Sequence, residues 1–223
     1  MHVPDHFLDP TTSTATAVVA LAGLAVAARR SQGELPEADR VPMAGLVATF
    51  VFAAQMLNFS VGGGTSGHLM GGALAAVLVG PATAVLCLSA VLLVQAVVFA
   101  DGGVTALGTN VTLMAIVGVL VGWAVLRAVM ALAPRRPAVV PVAAAIGALV
   151  SVPATALVFS GLLAMGGTTA VDPGAVAAAM VGWHSLIGLG EAVITLAAVT
   201  AVLWVRPDLV FGARSLLRTE VPA

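Results

Sequence analysis

The sequence predicts an all-α integral membrane protein, a single bundle of seven transmembrane helices. Three observations carry that reading. Of 223 residues, 60% are apolar and only 9% are charged, against about 25% charged in an average soluble domain; mean hydropathy is +1.10. The apolar residues form continuous runs instead of the alternation that a membrane-spanning strand shows. The basic residues, all nine of them arginine, fall on one side once seven crossings are counted. Too little polar surface is available to cover a soluble fold, and the composition excludes a disordered chain and a nucleic-acid binder.

In chain order the apolar runs cover residues 14–28, 41–58, 68–80, 82–100, 108–132, 138–165 and 178–205. A helix needs about 20 residues to cross the hydrocarbon. The third run is short for that, and Gly80-Pro81 separates it from the fourth, so these two are expected to form a tight helical hairpin. The first run is not expected to be a cleaved signal: Asp5 and Asp9 precede it, and Arg29-Arg30 follow it. This divides residues 1–223, one transmembrane domain, into an outer loop 1–13, a helical bundle 14–205 and a cytoplasmic tail 206–223.

Orientation follows from arginine. Arg29, Arg30 and Arg40 lie between runs one and two; Arg127, Arg135 and Arg136 surround the junction of five and six; Arg206, Arg214 and Arg218 follow run seven. The positive-inside rule makes that side cytoplasmic, with the N-terminus outside and the C-terminus inside. The histidines do the reverse: His2, His6, His68 and His184 all fall on the outer side or in the outer half of a run. Neutral imidazole is the commonest transition-metal ligand. Charge in the outer loops is confined to Asp5, Asp9, Asp101 and Asp172.

Absences narrow the chemistry. There is no lysine, so no phosphate-gripping lysine of a P-loop and no Schiff base. The chain therefore does not hydrolyse ATP in the P-loop manner by itself. The single cysteine, Cys87 in Val-Leu-Cys-Leu-Ser, reads as a small buried hydrophobe and forms no internal disulfide.

Met1-His2 is the sharpest motif. With methionine retained and deformylated, the Met1 amine, the His2 amide nitrogen and the His2 Nδ1 form a tridentate chelate of one five-membered and one six-membered ring. Three nitrogens then lie in a plane with the fourth corner open, an arrangement suited to Ni(II), Cu(II) or low-spin Co(II). The glycine-rich stretch Asn58-Phe-Ser-Val-Gly-Gly-Gly-Thr-Ser-Gly-His68 is no lipid-facing helix. Irregular backbone at membrane depth must line a cavity or be buried in protein, so His68 is a candidate for the fourth corner; the plainer reading is a flexible turn ending in a helix-capping histidine. Gln95 and Asn110 lie near the outer ends of runs four and five. His184 and Glu191, in Trp183-His-Ser-Leu-Ile-Gly-Leu-Gly-Glu191, are seven apart and share a helix face. An acid inside a span is a functional candidate. Asn58, Gln95, His184 and Glu191 are read as residues that support the ligands, or equally as hydrogen-bond partners holding the bundle together.

Together, Met1-His-Val-Pro-Asp, Phe52-Ala-Ala-Gln-Met-Leu-Asn-Phe, Gly-Gly-Thr-Ser-Gly-His68, Leu93-Val-Gln-Ala-Val-Val-Phe-Ala-Asp-Gly-Gly and Ile187-Gly-Leu-Gly-Glu-Ala-Val-Ile-Thr resemble the cobalt/nickel substrate-binding membrane subunit of energy-coupling factor transporters, the CbiM/NikM family. The resemblance runs from residue 1 to about 200. It implies a six-helix core with one added N-terminal span, in the cytoplasmic membrane of a bacterium or archaeon. It implies high-affinity capture of Co(II) or Ni(II) as transported ligand, with no cofactor and no enzyme activity, and a link to cobalamin biosynthesis. The implied partners are a transmembrane coupling subunit, a pair of ABC ATPases and a small additional membrane subunit. The implied metal ligands are Met1, His2 and His68, the set the chelate argument reaches from the residues. Two departures stand out. His6 replaces the glycine usual after Pro-Asp, which makes it a candidate accessory ligand near the entrance or the mark of a different turn; Ser60 and Gly62 loosen a stretch that often holds proline. Two other readings use the same residues: an intramembrane metalloenzyme on His2, His68, His184 and Glu191, against which the missing HExxH motif counts, and a proton-coupled secondary transporter working through Glu191.

The chelate depends on a free amine at Met1. Adding one residue before Met1 converts that amine to an amide and is expected to abolish Ni(II) and Co(II) binding while leaving the fold intact. Metal content of tagged and untagged protein checks this; equal binding by both removes Met1 from the site. Counting the protons on amine, amide and two imidazoles, affinity is expected to fall by more than a decade per pH unit over part of the range from about 8 to 5.

Overall fold

A computed structural model describes residues 1–34, 37–62 and 65–217. The chain is mostly helical, and each apolar run falls on a helix. Among the described residues five helices are long and apolar enough to cross a membrane: α1 (Pro10–Arg30), α4 (Pro81–Val98), α5 (Leu107–Leu132), α6 (Val139–Gly166) and α7 (Pro173–Val205). α2 (Glu37–Gln55) has a shorter apolar stretch, Val41–Gln55. α3 (Gly72–Val79) has eight residues, all buried, and at 1.5 Å per residue is about 12 Å long. It is a half-helix enclosed by α2, α4, α5, α6 and α7. The hairpin expected at Gly80-Pro81 is present, and its first arm is too short to cross the membrane unaided.

Local chemistry sets the boundaries. Asp9 caps α1 by accepting from the Thr12 N–H at 2.7 Å, and Asp172 caps α7 by accepting from the Ala175 N–H at 2.7 Å; proline follows each as the first helical residue. α5 widens into a π-helical stretch at Val111–Val117. There the Thr112 hydroxyl donates to the Thr16 carbonyl (2.7 Å), and Thr109 and Thr16 share a hydroxyl–hydroxyl bond (2.7 Å), tying α5 to α1.

Two buried carboxylates fix the half-helix. Glu191, on α7, accepts from the backbone N–H groups of Met70 (2.7 Å) and Gly71 (3.0 Å), just ahead of α3. Glu34, after α1, accepts from those of Ala82 (2.8 Å) and Thr83 (2.6 Å) in the first turn of α4. The first N–H groups of a helix have no partner within it and carry partial positive charge; in an apolar bundle a carboxylate is the partner that satisfies both needs. Gly80 turns the chain between the arms at φ +92, and a Cβ there would stand 2.5 Å from the Glu34 carboxyl carbon.

The segment expected as an outer loop, 59–67, is instead a small antiparallel hairpin. β1 (Phe59–Gly62) pairs with β2 (Thr65–Gly67) in the register Phe59 with Gly67 and Ser60 with Ser66. Gly63 and Gly64 lie outside the described residues, as does Arg218 of the tail. At one end of the bundle the N-terminal segment meets the 101–106 and 166–168 loops. At the other, the Arg214 guanidinium, on the short closing helix α8 (Arg214–Leu217), donates to the Glu34 carbonyl.

Gly80→Ala forces a side chain into a left-handed backbone and against Glu34, costing at least about 1 kcal/mol. It is expected to lower the thermal midpoint in detergent. Gly161→Ala, in α6 with no atom within 4 Å of the new Cβ, is expected not to.

Candidate metal centre

The first three residues are buried in the bundle end, and the next six run on to α1 with Asp5 and His6 exposed. Met1 is 1% exposed, Val3 0% and His2 5%. Backbone pairing holds them there. The Asn110 carboxamide grips Val3 on both sides, its Oδ1 accepting from the Val3 N–H (2.8 Å) and its Nδ2 donating to the Val3 carbonyl (3.2 Å). The Gly103 N–H donates to that same carbonyl (2.9 Å). Further along, Asp5 Oδ1 accepts from the Thr105 N–H (2.7 Å), Thr168 donates its N–H to the Phe7 carbonyl (3.2 Å), and the Asp9 N–H donates to Gly166 (2.7 Å). Asp101-Gly102-Gly103 has a physical reason at each glycine. Gly102 has φ +93, and a Cβ on Gly103 would stand 2.3 Å from the Asp5 nitrogen.

This places His2 between Gln95 and Asp101. Its Nε2 lies 3.1 Å from Gln95 Oε1, and its Nδ1, the nitrogen the chelate needs, lies 3.1 Å from Asp101 Oδ1. The Nδ1 contact is the chief cause that holds the Asp101 carboxyl below its ordinary range. The His68 ring stacks on His2, with centroids 4.5 Å apart and planes 28° from parallel. His68 Nδ1 lies 2.9 Å from the Leu69 carbonyl, which puts the proton there and leaves Nε2 as a bare, buried lone pair. His184 is prepared in the same way: Nδ1 faces the Met180 carbonyl at 2.8 Å and Nε2 is unbonded. It lies within electrostatic reach of both the Met1 amine and His68.

Burial also sets protonation. Desolvation holds the Met1 amine well below its ordinary range, the nearby Asp101 charge opposing only in part. The amine is thus held neutral, the form that binds a metal. Among the described residues no group of three or more His, Cys, Asp or Glu side chains converges as a metal cage; at this end imidazole nitrogens meet a chain terminus and its backbone.

The residues singled out in the sequence fall into four positions. Met1, His2, His68 and Gln95 come together directly. Asn58 reaches the group through Asp101, donating from Nδ2 to Oδ2 at 3.0 Å. Glu191 acts from behind, on the backbone two and three residues past His68, where Gln55 also donates to the Met70 carbonyl (2.9 Å). His6 stands apart: its ring is exposed, and its backbone has φ +60. That left-handed conformation explains why glycine is usual there; histidine tolerates it better than most residues. Sequence reasoning gave no role to Asp101, Gln55 or the Val3 clamp. The Asp-Gly-Gly turn was the available signal for the first and third.

Residues 2–209 match the family described as cobalt uptake substrate-specific transmembrane region, CbiM, and the chain belongs to that family. Among its relatives, one of Haloquadratum walsbyi, provisionally described as a metal transport protein, is 37% identical, with 95% of this chain aligned to 94% of it. A cobalt transport protein CbiM of Sorangium cellulosum is also 37% identical, over 75% of each chain. A crystal structure of a transition metal transporter superposes with a TM-score of 0.84 at 29% identity, over 99% of this chain and 100% of that one. The chain is accordingly a multi-pass membrane protein of a cobalt/nickel transport family.

The lowered proton affinity of the Met1 amine gives a pH prediction. The unfolded chain takes up a proton at the amine before the folded one does, so stability falls as pH drops through about 8. The thermal midpoint of metal-free protein is expected to fall steadily from pH 8.5 to 6; a flat profile contradicts a buried neutral amine. For metal binding, the amine proton is already gone near neutral pH. The slope near pH 8 is therefore expected to be about one decade per unit, set by the amide proton, with the steeper fall displaced to lower pH.

Proposed function

We propose that this chain captures Co(II) or Ni(II) with high affinity at the outer face of the cytoplasmic membrane, as the substrate-specific subunit of an energy-coupling factor transporter. The observation that carries this is the stacking of the His2 and His68 rings, the latter with an unbonded Nε2, beside a buried Met1 amine. With the His2 amide they make four nitrogens, the donor set for a square plane. The stacked rings face one another, whereas a shared ion needs their edges, so binding turns one ring out of the stack. The Gln95 acceptor then holds Nε2–H of His2 and keeps Nδ1 for the metal, the usual way a neighbour fixes a metal-binding tautomer.

In this reading residues 1–13 form the outer metal-binding loop, 14–205 the bundle and 206–223 the cytoplasmic tail, with the arginine-bearing end inside. Seven crossings follow if α2 crosses and α3 with its flanking strap fills one crossing as a half-helix. No Walker lysine is present, so import draws on a coupling subunit and a pair of ATPases, with the small additional membrane subunit as a further partner. Glu191, on which a proton-coupled transporter rests, uses both oxygens on backbone N–H groups, which favours a positioning role.

His2→Ala and His68→Ala are each expected to abolish high-affinity Ni(II) and Co(II) binding by isothermal titration of untagged protein. His184→Ala is expected to weaken it by about 10–100-fold, the usual cost of losing a partner behind the ligands. Full retention in His68→Ala contradicts the four-nitrogen plane. Vesicles carrying the chain alone are expected to bind metal without ATP-dependent uptake, which appears only with the coupling subunit and ATPases added.

A further inference from the structure

At the end of the bundle opposite His2 and His68, two adjoining cavities of about 280 and 320 Å³ open between α5 and the segment that leads into α8. Both are lined by Arg127, Gly212 and Ser215; Arg135 lines the first and Arg214 the second. We infer that this cleft binds the headgroup of an anionic phospholipid, with Arg127 and Arg135 gripping the phosphate and the apolar face of α5 beside them taking the start of an acyl chain.

The positive charge of the cleft is not spent inside the protein. Among the described residues, the guanidinium groups of Arg127 and Arg135 make no hydrogen bond or ion pair, and both residues are exposed. Arg214 stands beside them, donating to the Glu34 carbonyl and lying 5.7 Å from the centre of the Phe211 ring. Glu34 is the one carboxylate on either lining among the described residues, and both its oxygens accept from the Ala82 and Thr83 N–H groups. Three guanidinium groups thus border the cleft with no acid turned toward them. A guanidinium is a planar fork of donors that matches phosphate geometry. The exposed Ser215 hydroxyl adds a further donor on the shared wall.

The rest of the lining says what kind of phosphate fits. Trp123, Leu126, Arg127, Met130 and Ala131 recur at spacings of three and four, which puts them on one face of α5, and all of them line the cleft. Apolar side chains therefore lie directly beside the charged ones. Trp123 precedes Arg127 by one helical turn and packs on Phe211, with ring centroids 5.5 Å apart. Aromatic rings next to arginine mark the level where a membrane passes from hydrocarbon to headgroup, and basic pockets between helices on the arginine-rich side suit anionic headgroups. A soluble phosphate or an acidic peptide would use the arginines and leave the apolar wall unused; a phospholipid uses both. A bound headgroup also bridges α5 to the closing segment, whose Val210, Ala213 and Leu216 are buried, and so stabilises the fold as any ligand of the native state does.

The test is native mass spectrometry of the full chain in detergent, titrated with dioleoyl-phosphatidylglycerol and, separately, with zwitterionic dioleoyl-phosphatidylcholine. The wild type is expected to hold phosphatidylglycerol at least about tenfold more tightly. Arg127→Gln with Arg135→Gln is expected to lose that preference, each basic side chain near an anionic headgroup contributing about fivefold. Arg29→Gln with Arg136→Gln removes the same charge outside either lining and is expected to keep it. Equal retention of the two lipids by the wild type overturns the inference, as does a cleft variant that keeps the preference or a control that loses it. Displacement of phosphatidylglycerol by inorganic phosphate alone overturns it in favour of a soluble anion. A wild type without lipid preference whose cleft variant fails to assemble with the coupling subunit overturns it in favour of a protein partner. If the double variant does not fold, Arg135→Gln alone, in the exposed loop after α5, decides: an unchanged preference overturns the inference. Ni(II) binding, at the other end of the bundle, is expected to be equal in all variants, so the lipid result stands apart from the metal-capture reading.

Discussion

Burying a chain terminus is the constraint on which the site depends. An amine in water is charged and heavily solvated; moved into an apolar bundle, it must lose its proton or find a counter-charge. Here the insertion is held by backbone pairing at Val3, through Asn110 and Gly103, and by later bonds at Asp5, Phe7 and Asp9. Those bonds satisfy the polar groups of the inserted segment. The amine is left as a desolvated base beside two imidazoles. The same pairing fixes His2 against Gln95 and Asp101, so the order Met-His at the start of the chain becomes a geometry only because residues 3–9 are clamped.

His68 reaches the terminus by a second device. It ends a β-hairpin and precedes a half-helix, a strap of irregular backbone inside the bundle. Irregular backbone there needs partners for every N–H and C=O. Glu191 supplies acceptors for Met70 and Gly71, and Gln55 supplies a donor for the Met70 carbonyl. The other end of the half-helix is closed by Gly80 and by Glu34. One buried carboxylate at each end therefore sets the position of α3, and with it the height at which His68 sits. Glu191 is thus tied to the backbone that carries His68, two and three residues beyond it.

Much of this was legible in the sequence where a single physical requirement dominated. Continuous apolar runs marked α1 to α7, because lipid imposes its demand residue by residue. Met1-His2 was readable because chelate rings are local and need no fold. The contribution of the half-helix was only partly readable: Gly80-Pro81 showed the turn, but a run of that length does not say whether it crosses. The hairpin at 59–67 was hidden, since its glycines and small polar residues resemble any loop. His6 was read as an accessory ligand near the entrance or as the mark of a different turn. The structure shows an exposed ring on a left-handed backbone position where glycine is the natural occupant. Asp101 was overlooked. An acid in an outer loop is ordinary until the fold brings it to 3.1 Å from a histidine nitrogen.

Membership of a cobalt/nickel transport family fits a site built of nitrogen in place of the oxygen-rich cages that hold harder ions. The claim that organises the account is that the ion is held by the terminus and two histidines, with every carboxylate kept outside its coordination. X-ray absorption at the metal edge of untagged protein loaded with one Ni(II) per chain tests this most directly. Four light nitrogen scatterers in a planar environment, with imidazole second-shell features from two rings, are the result the account predicts. A six-coordinate environment dominated by oxygen, or one imidazole alone, would contradict it.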